Sequence, residues 1–219
     1  MKTVVAIHTA MPMVEPTKEL FEEHLPDVRL INIVDDSLIQ DVIKANEVTG
    51  SVKLRLYSYY KSALEAGADL IFNTCSSVGD IAIEAREVID VPIVKIDDAM
   101  ARKAVQSGSR IGVLATLQCT LDPTVRLLLS HAKSEGKKIE VVEGLAQGAF
   151  QAVIGGNREK HDALILEAAL KIVSKVDVIV LAQGSMARME KILTDKTGKL
   201  VLSSPMSGFL EVKSTLAKL

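Results

Sequence analysis

The chain has 219 residues, of which 48% are apolar and 25% charged, and 26 basic against 28 acidic side chains give a formal net charge of −2. This balance, with no run of basic residues, argues against a nucleic-acid-binding protein, whose surface usually carries a basic surplus. The apolar content excludes intrinsic disorder, and three Tyr, four Phe and no Trp leave little material for base stacking or an aromatic carbohydrate cleft.

The sequence also bears on the compartment. Residues 3–14 form an uncharged stretch, but His8 and the lack of a small-residue cleavage site favour a first strand over a signal peptide. The other uncharged runs, such as residues 111–121, have about half of the roughly 20 residues that span a bilayer. Cys75 and Cys119 are too few for a disulfide framework. We expect a cytoplasmic protein without membrane association.

Short strand-like runs alternate along the chain with helical segments such as 51–66 and 161–174. The runs lack polar alternation, which is typical of strands buried on both faces of a parallel sheet. The alternation predicts an α/β fold. The strands are predicted at 4–8, 28–33, 70–73, 93–95, 111–115, 139–142, 178–181 and 200–202.

An internal repeat divides the chain into similar halves. Residues 69–77 align with 177–185 at an offset of 108, which pairs Cys75 with Gln183. Residues 4–9 align with 111–116 at an offset of 107, and a third match, at an offset of 113, pairs 91–92 with 204–205. Three matches in the same order predict a duplicated α/β unit.

The repeat predicts a first α/β domain at 1–97 and a second at 98–205, with a helix at 206–219 packing back on the first. Ligands bind at the carboxyl ends of strands in open α/β sheets. We therefore expect the strand-end loops of the two mainly parallel, helix-flanked sheets to face a shared cleft that holds the active site.

The segment from Asn73 to Ser77 follows a predicted buried strand and precedes a helix expected to begin near Val78. In such a turn, backbone N–H groups and the positive end of the helix stabilise a thiolate at Cys75. Neighbouring hydroxyls add donors for an anion. Composition alone equally allows a helix cap at Ser76 or Ser77 and a packing role for Cys75.

Four segments together resemble the aspartate/glutamate/hydantoin racemase superfamily: 73–77, 110–116, 180–186 and 203–205. The resemblance covers nearly the whole chain. It implies two pseudo-symmetric α/β domains and a site with one cysteine from each half. It further implies a homo-oligomeric isomerase that acts without a cofactor on the carbon next to a carboxylate.

This chain departs from the family at the second cysteine. Where members resembling hydantoin racemase have Gly-Cys-Ala-Gly-Met, it has Ala-Gln-Gly-Ser-Met at residues 182–186. Gln183 cannot titrate, but its amide can donate to a carboxylate. Proton removal next to a carboxylate creates an enediolate-like anion that needs preorganised donors. The candidate substrate-binding residues are Asn73, Thr74, Ser76, Ser77, Thr116, Gln183, Gly184 and Ser185.

Three functions remain open from the sequence. The leading one is a racemase or epimerase of an amino acid or related small acid, with Cys75 as acid/base and His8, at the end of the first strand, as second base. The second is a decarboxylase or isomerase of a small carboxylic acid that needs only one cysteine. The third is a carboxylate-binding protein without turnover.

Other chemistry-bearing residues are assigned simpler roles. The remaining histidines lack paired ligand spacing, so we expect no metal site. Cys119 is expected to be a packed thiol, and His161 and Asp162 to serve the first turn of a helix. Arg188, in the turn after Gln183, either neutralises a substrate carboxylate or faces solvent.

Overall fold

The computed structural model describes every residue from Met1 to Leu219. The chain forms two compact units, one of residues 1–96 with 205–219 and the other of residues 97–204. Each unit contains a four-stranded sheet whose neighbouring strands are all parallel, with helices packed against it. The helices lack the combined length and hydrophobicity that crossing a bilayer requires.

The eight strands are β1 (Thr3–His8), β2 (Arg29–Val34), β3 (Leu70–Asn73), β4 (Ile93–Lys95), β5 (Arg110–Ala115), β6 (Glu140–Leu145), β7 (Val178–Leu181) and β8 (Leu200–Leu202). The ten α-helices are α1 (Val14–His24), α2 (Ser37–Ala45), α3 (Gly50–Glu65), α4 (Gly79–Ala85), α5 (Asp98–Ser107), α6 (Gln118–Ser134), α7 (Ala149–Ile154), α8 (Arg158–Ile172), α9 (Glu190–Thr197) and α10 (Ser204–Leu216). Four 3₁₀ segments, at Met11–Met13, Ser76–Val78, Val173–Lys175 and Gly184–Met189, complete the elements.

The first sheet has the strand order β2-β1-β3-β4. Its core includes Phe72 of β3 and Phe21 of α1, and the last helix contributes Phe209 and Val212 to the same cluster. The rings of Phe21 and Phe209 meet edge to face, with centroids 5.3 Å apart. The last helix therefore shares the apolar core of the first sheet.

The second sheet repeats this arrangement with the order β6-β5-β7-β8. In both sheets the first strand and the third strand of the unit lie side by side at the centre. Because all strands of a sheet are parallel, the loops that follow them gather at one edge. The sequence places Cys75 after β3 and Gln183 after β7, so each lies at the carboxyl-terminal edge of its own sheet.

The structure confirms the predicted α/β class and all eight strands to within a few residues. The expectation that all strands are buried on both faces is wrong for β2 and β6, which contain exposed and half-buried residues. Both lie at an edge of their sheet, but so does β4, whose three residues are all buried, so an edge position does not by itself decide burial. The helix expected near Val78 begins as the 3₁₀ turn Ser76–Val78 and continues as α4.

Candidate functional site

Cys75 is the second residue after β3 and lies directly before the 3₁₀ turn Ser76–Val78, and its backbone is extended. The turn is held from within the unit by Asn73, which is fully buried and donates from Nδ2 to the Cys75 carbonyl at 3.0 Å. The hydroxyl of buried Tyr60 donates in turn to Asn73 Oδ1 at 3.3 Å. Burial raises the pKa of Tyr60, so its hydroxyl keeps its proton and remains a donor. Asn73 thereby supports the turn that carries the thiol.

The Cys75 sulfur is surrounded by hydrogen-bond donors. The hydroxyls of Thr9 and Ser77 and the backbone N–H groups of Ser77 and Val78 all bond to it. These bonds lower the pKa of Cys75, but burial of the sulfur raises it by more, and the net shift is upward. The expectation of a stabilised thiolate is therefore wrong for the free protein, because desolvation outweighs the donors. At neutral pH the group is a thiol, which can deliver a proton.

His8 ends β1 and its side chain is completely buried. Nε2 lies 2.9 Å from Asn32 Oδ1, and Nδ1 lies 2.9 Å from Oγ1 of Thr74. Burial lowers the pKa of His8, more than the bond to Asn32 raises it, so the ring is neutral at neutral pH.

Both ring nitrogens of His8 are thus used inside the protein. Thr74 Oγ1 also lies 3.0 Å from the Ile7 carbonyl, and Thr74 is itself buried. The geometry describes His8 as a link between β1, β2 and the Cys75 turn, and it gives no support to His8 as a second base. Ser76 and Ser77, also predicted to bind substrate, are buried in the 3₁₀ turn.

Gln183 lies at the corresponding place in the second unit. Its Oε1 accepts hydrogen bonds from the backbone N–H of Thr116 at 2.7 Å and from the Thr116 hydroxyl at 2.8 Å. Two donors on one atom identify that atom as the oxygen, so the amide nitrogen is the other terminus. The bonds that this side chain makes within the protein are both at Oε1, which leaves its two N–H groups available to a ligand. Gln183 is therefore a fixed, half-buried amide donor.

The 3₁₀ helix Gly184–Met189 begins directly after Gln183. Gly184 is half-buried and Ser185 is exposed at its start. Arg188, in its last turn, binds Asp162 with both Nη atoms, at 2.7 and 2.6 Å. Arg188 is therefore paired with a carboxylate of α8, which removes the basis for assigning it to a substrate carboxylate.

His161 completes this cluster. It is 1% exposed, and its Nδ1 lies 2.8 Å from Asp162 Oδ1. The sequence assigned His161 and Asp162 only to the start of a helix, and α8 does begin at Arg158.

The second thiol, Cys119, is buried in the first turn of α6. No group of three or more His, Cys, Asp and Glu side chains could hold a metal ion.

Thr9 is the contact of Cys75 that sequence reasoning missed. The internal repeat contained the signal, since it aligns Thr9 with Thr116, which was recognised as a candidate. Asn32 and Tyr60 were also missed. They come from β2 and α3, and nothing in the local sequence shows that they reach His8 and Asn73.

A family model described as Asp/Glu/hydantoin racemase matches residues 3–208 of the chain. A comparison with curated proteins finds no significant match.

Solved structures of several racemases are similar over nearly the whole chain. Aspartate racemase of Picrophilus torridus is 18% identical, with a TM-score of 0.73 over 98% of this chain and 94% of that one. A glutamate racemase of Bacillus anthracis is 12% identical, with a TM-score of 0.77 over 99% and 82%. Allantoin racemase of Klebsiella pneumoniae is 16% identical, with a TM-score of 0.70 over 99% and 88%. At these identities the similarity shows a common fold.

Proposed function

Because the chain belongs to the Asp/Glu/hydantoin racemase family and is an isomerase-type enzyme, we propose that it is a cofactor-independent racemase or epimerase. It transfers a proton at a carbon α to the carboxylate of an amino acid or related small acid. The observation that carries the proposal is the Cys75 thiol, which lies at a strand end and is contacted by four donors from Thr9, Ser77 and Val78. A packing cysteine needs no such set of donors.

Proton removal next to a carboxylate moves an electron pair onto the carboxylate oxygens. We assign the binding of one such oxygen to Gln183, whose Nε2 donors are oriented by the two bonds that Oε1 receives from Thr116. A donor held in place before the reaction costs no reorganisation when negative charge develops. Gly184 and Ser185 are assigned to the same anion.

Cys75 acts in both directions of the exchange. As a thiolate it removes the α-proton, and as a thiol it returns a proton to the carbanion. Burial raises the pKa of Cys75, so the thiol dominates in the free protein and the thiolate must form by loss of a proton before abstraction. The surrounding hydroxyl and N–H donors stabilise the thiolate once it has formed.

The protonated thiol and the non-titrating Gln183 favour a second candidate function, a decarboxylase of a small dicarboxylic acid. Loss of carbon dioxide leaves an electron pair on the α-carbon, and the Cys75 thiol supplies the single proton that this carbon requires. Water then reprotonates the thiolate. A carboxylate-binding protein without turnover would show ligand-induced thermal stabilisation but no exchange.

The test follows the α-proton by NMR and chirality by polarimetry in deuterated water. The substrates are both enantiomers of aspartate and glutamate, and allantoin, because the similar solved structures are racemases of these compounds. Exchange with inversion supports a racemase. Exchange with retention contradicts racemisation, and release of carbon dioxide from a 2-substituted malonate selects the decarboxylase.

A further inference from the structure

Each of the two sheets has an edge strand on either side, and these are β2 and β4 in the first sheet and β6 and β8 in the second. The outer side of an edge strand presents backbone N–H and C=O groups to which a further strand can bind. Proteins protect such edges by keeping the strand short, by placing charged side chains in it or by covering it. The four edges of this chain differ in that protection.

Three of the edges are protected. β4 and β8 have three residues each, and all of β4 is buried. β6 has six residues, but it carries the exposed charges of Glu140 and Glu143. β2 also has six residues, yet it contains no charged side chain after Arg29 at its first position, and none of its residues is buried. β2 is therefore a long edge strand without such protection.

The backbone bonds of β2 show which of its groups face outward. The N–H groups of Arg29 and Asp35 both bond to carbonyls on the β1 side of the strand. In a parallel ladder every second residue of a strand bonds to a given neighbour, so the odd-numbered residues of β2 face β1. The backbone groups that point away from the sheet belong to Leu30, Asn32 and Val34.

The charges at the two ends of β2 are complementary to those of the same strand in the opposite direction. Arg29 is exposed at the start of the strand, and Asp35 and the exposed Asp36 follow its end. In an antiparallel pair of two β2 strands, the start of each lies beside the end of the other. The strand therefore matches a second copy of itself, and such a contact has two-fold symmetry.

The outward-facing groups define how two such strands would pair. With Asn32 opposite Asn32 of the second copy, Leu30 lies opposite Val34 and Val34 opposite Leu30. The outward-facing residues then form the closely spaced pairs, in which both residues exchange their N–H and C=O groups, and the strands are joined by about six hydrogen bonds.

The charges favour the same register. It places Arg29 opposite Asp35 of the second copy, which is an attractive cross-strand pair at each end of the contact. Centring the pair on Ile31 instead would place Asp27 opposite Asp35, and two like charges directly opposite each other are destabilising.

This pairing also covers apolar side chains of β2. On one face, Ile31 lies opposite Ile33 of the second copy, and pairs of β-branched side chains stabilise a sheet. On the other face, Leu30 lines a groove of about 420 Å³ beside α1. Val34 of the second copy, which is exposed in the single chain, lies next to Leu30 at this groove.

We propose that the chain forms a two-fold symmetric dimer by antiparallel pairing of β2 with β2 of a second copy. The pairing joins the two first sheets, of four strands each, into one continuous sheet. The proposal concerns association and does not depend on the reaction that the enzyme catalyses.

Sedimentation equilibrium at about 1–100 µM measures the mass in solution, which should be twice the 23.6 kDa of one chain. Val34→Pro removes an outward N–H that β1 does not use, and an edge strand tolerates proline at such a position. We expect the dissociation constant of the dimer to rise at least tenfold in this variant. Val34→Thr keeps the N–H and the β-branch and is the matched control, with a dissociation constant like that of wild type.

A second variant tests the charges without changing the backbone. Arg29→Glu places a carboxylate opposite Asp35 of the second copy, and the dissociation constant should again rise at least tenfold. Lys138→Glu makes the same change of charge shortly before β6 and should leave the dissociation constant unchanged. Circular dichroism verifies that each variant is folded.

The register is tested by cross-linking. Asn32→Cys places two identical residues opposite each other at a Cα separation of about 5.5 Å, which a disulfide can bridge. Mild oxidation should therefore link the two chains, and the wild type treated in the same way controls for Cys75 and Cys119. Ile31→Cys is the matched control, because its copies are diagonal neighbours about 7–8 Å apart and should not link.

Three results would overturn the proposal. The first is a wild-type protein that keeps the mass of one chain at about 100 µM. The second is a dimer whose dissociation constant is unchanged in Arg29→Glu or in folded Val34→Pro, and Arg29→Glu decides alone if Val34→Pro does not fold. The third is a disulfide link in Ile31→Cys without one in Asn32→Cys.

Discussion

Thr116 donates both its backbone N–H and its hydroxyl to Oε1 of Gln183, at 2.7 and 2.8 Å. The repeat pairs Thr116 with Thr9, and the Thr9 hydroxyl bonds to the sulfur of Cys75. In each unit, the threonine directly after the first strand thus contacts the side chain two positions after the end of the third strand. The same kind of contact therefore occurs in both units, but the threonine binds a thiol in one unit and an amide in the other.

The orientation of the Gln183 amide leads to a prediction about substrate affinity. Gln183→Ala removes a donor to a charged group, which is worth about 1.5–3 kcal/mol, so kcat/KM should fall roughly 10-fold to 150-fold. Gln183→Glu still accepts from Thr116 but places a negative charge beside the substrate carboxylate, and it should be impaired more than Gln183→Ala. Steady-state kinetics of both variants measure this. Equal activity of Gln183→Glu and wild type would exclude a donor role.

The raised pKa of Cys75 predicts slow alkylation at neutral pH. Iodoacetamide reacts with the thiolate, and burial holds the group in the thiol form. The rate of Cys75 modification should therefore rise about tenfold per pH unit from pH 7 to 9 without a plateau. Mass spectrometry of peptides containing Cys75, with the Cys119→Ala variant to exclude the second thiol, follows the reaction. A plateau below pH 8 would show that the donors outweigh burial.

His8 predicts a pH dependence of stability. Its pKa is lowered in the folded protein, so below the ordinary value of 6.5 the unfolded chain binds a proton that the folded protein does not. Its contribution to stability is complete above pH 6.5 and is lost as the pH falls towards the folded pKa, at up to about 1.4 kcal/mol per pH unit. Denaturant unfolding of wild type and His8→Gln between pH 7 and 5 measures this.

The comparison in that experiment uses slopes, because His8→Gln also removes buried hydrogen bonds and lowers stability at every pH. The wild-type free energy of unfolding should fall more steeply on acidification than that of His8→Gln. Parallel curves would mean that His8 is not held neutral by burial.

The close approach of Gly208 to Ile96 predicts how the last helix is attached to the first unit. A Cβ at Gly208 would collide with the backbone carbonyl of Ile96, which cannot move aside as a side chain can. Gly208→Ala should lower the free energy of unfolding by about 1–3 kcal/mol. Gly50→Ala is the matched control, because a Cβ there meets nothing within 4 Å. Similar stability of the two variants would contradict this packing.

The sequence predicts most of the fold because each strand is a short apolar run that can be recognised without knowledge of the rest of the structure. Cys75 and Gln183 could be recognised for a related reason, since the repeat and the strand-to-helix turn are both local patterns. Burial at the edges could not be predicted. Whether β2 and β6 are covered on both faces depends on the tertiary packing around them, which the runs do not encode.

The contacts of the candidate site were harder to predict because they join distant parts of the chain. His8 meets Asn32 because β1 and β2 pair in a register that the sequence does not state. The protonation state of Cys75 is another case. The strand-to-helix turn indicates a thiolate, but burial of the sulfur raises its pKa and favours the thiol. Asp162 and Arg188 are 26 residues apart, and their pairing became visible only in three dimensions.

The proton-transfer role of Cys75 is tested most directly by exchange of substrate α-protons in deuterated water, with Cys75→Ala beside Cys119→Ala. Both variants remove a thiol, but only the first removes the group that the Thr9 and Ser77 hydroxyls contact. We predict that the exchange rate at one face falls at least 100-fold in Cys75→Ala, while in Cys119→Ala it stays within a few fold of the wild-type rate. Exchange in Cys75→Ala at the wild-type rate would contradict the proposed mechanism.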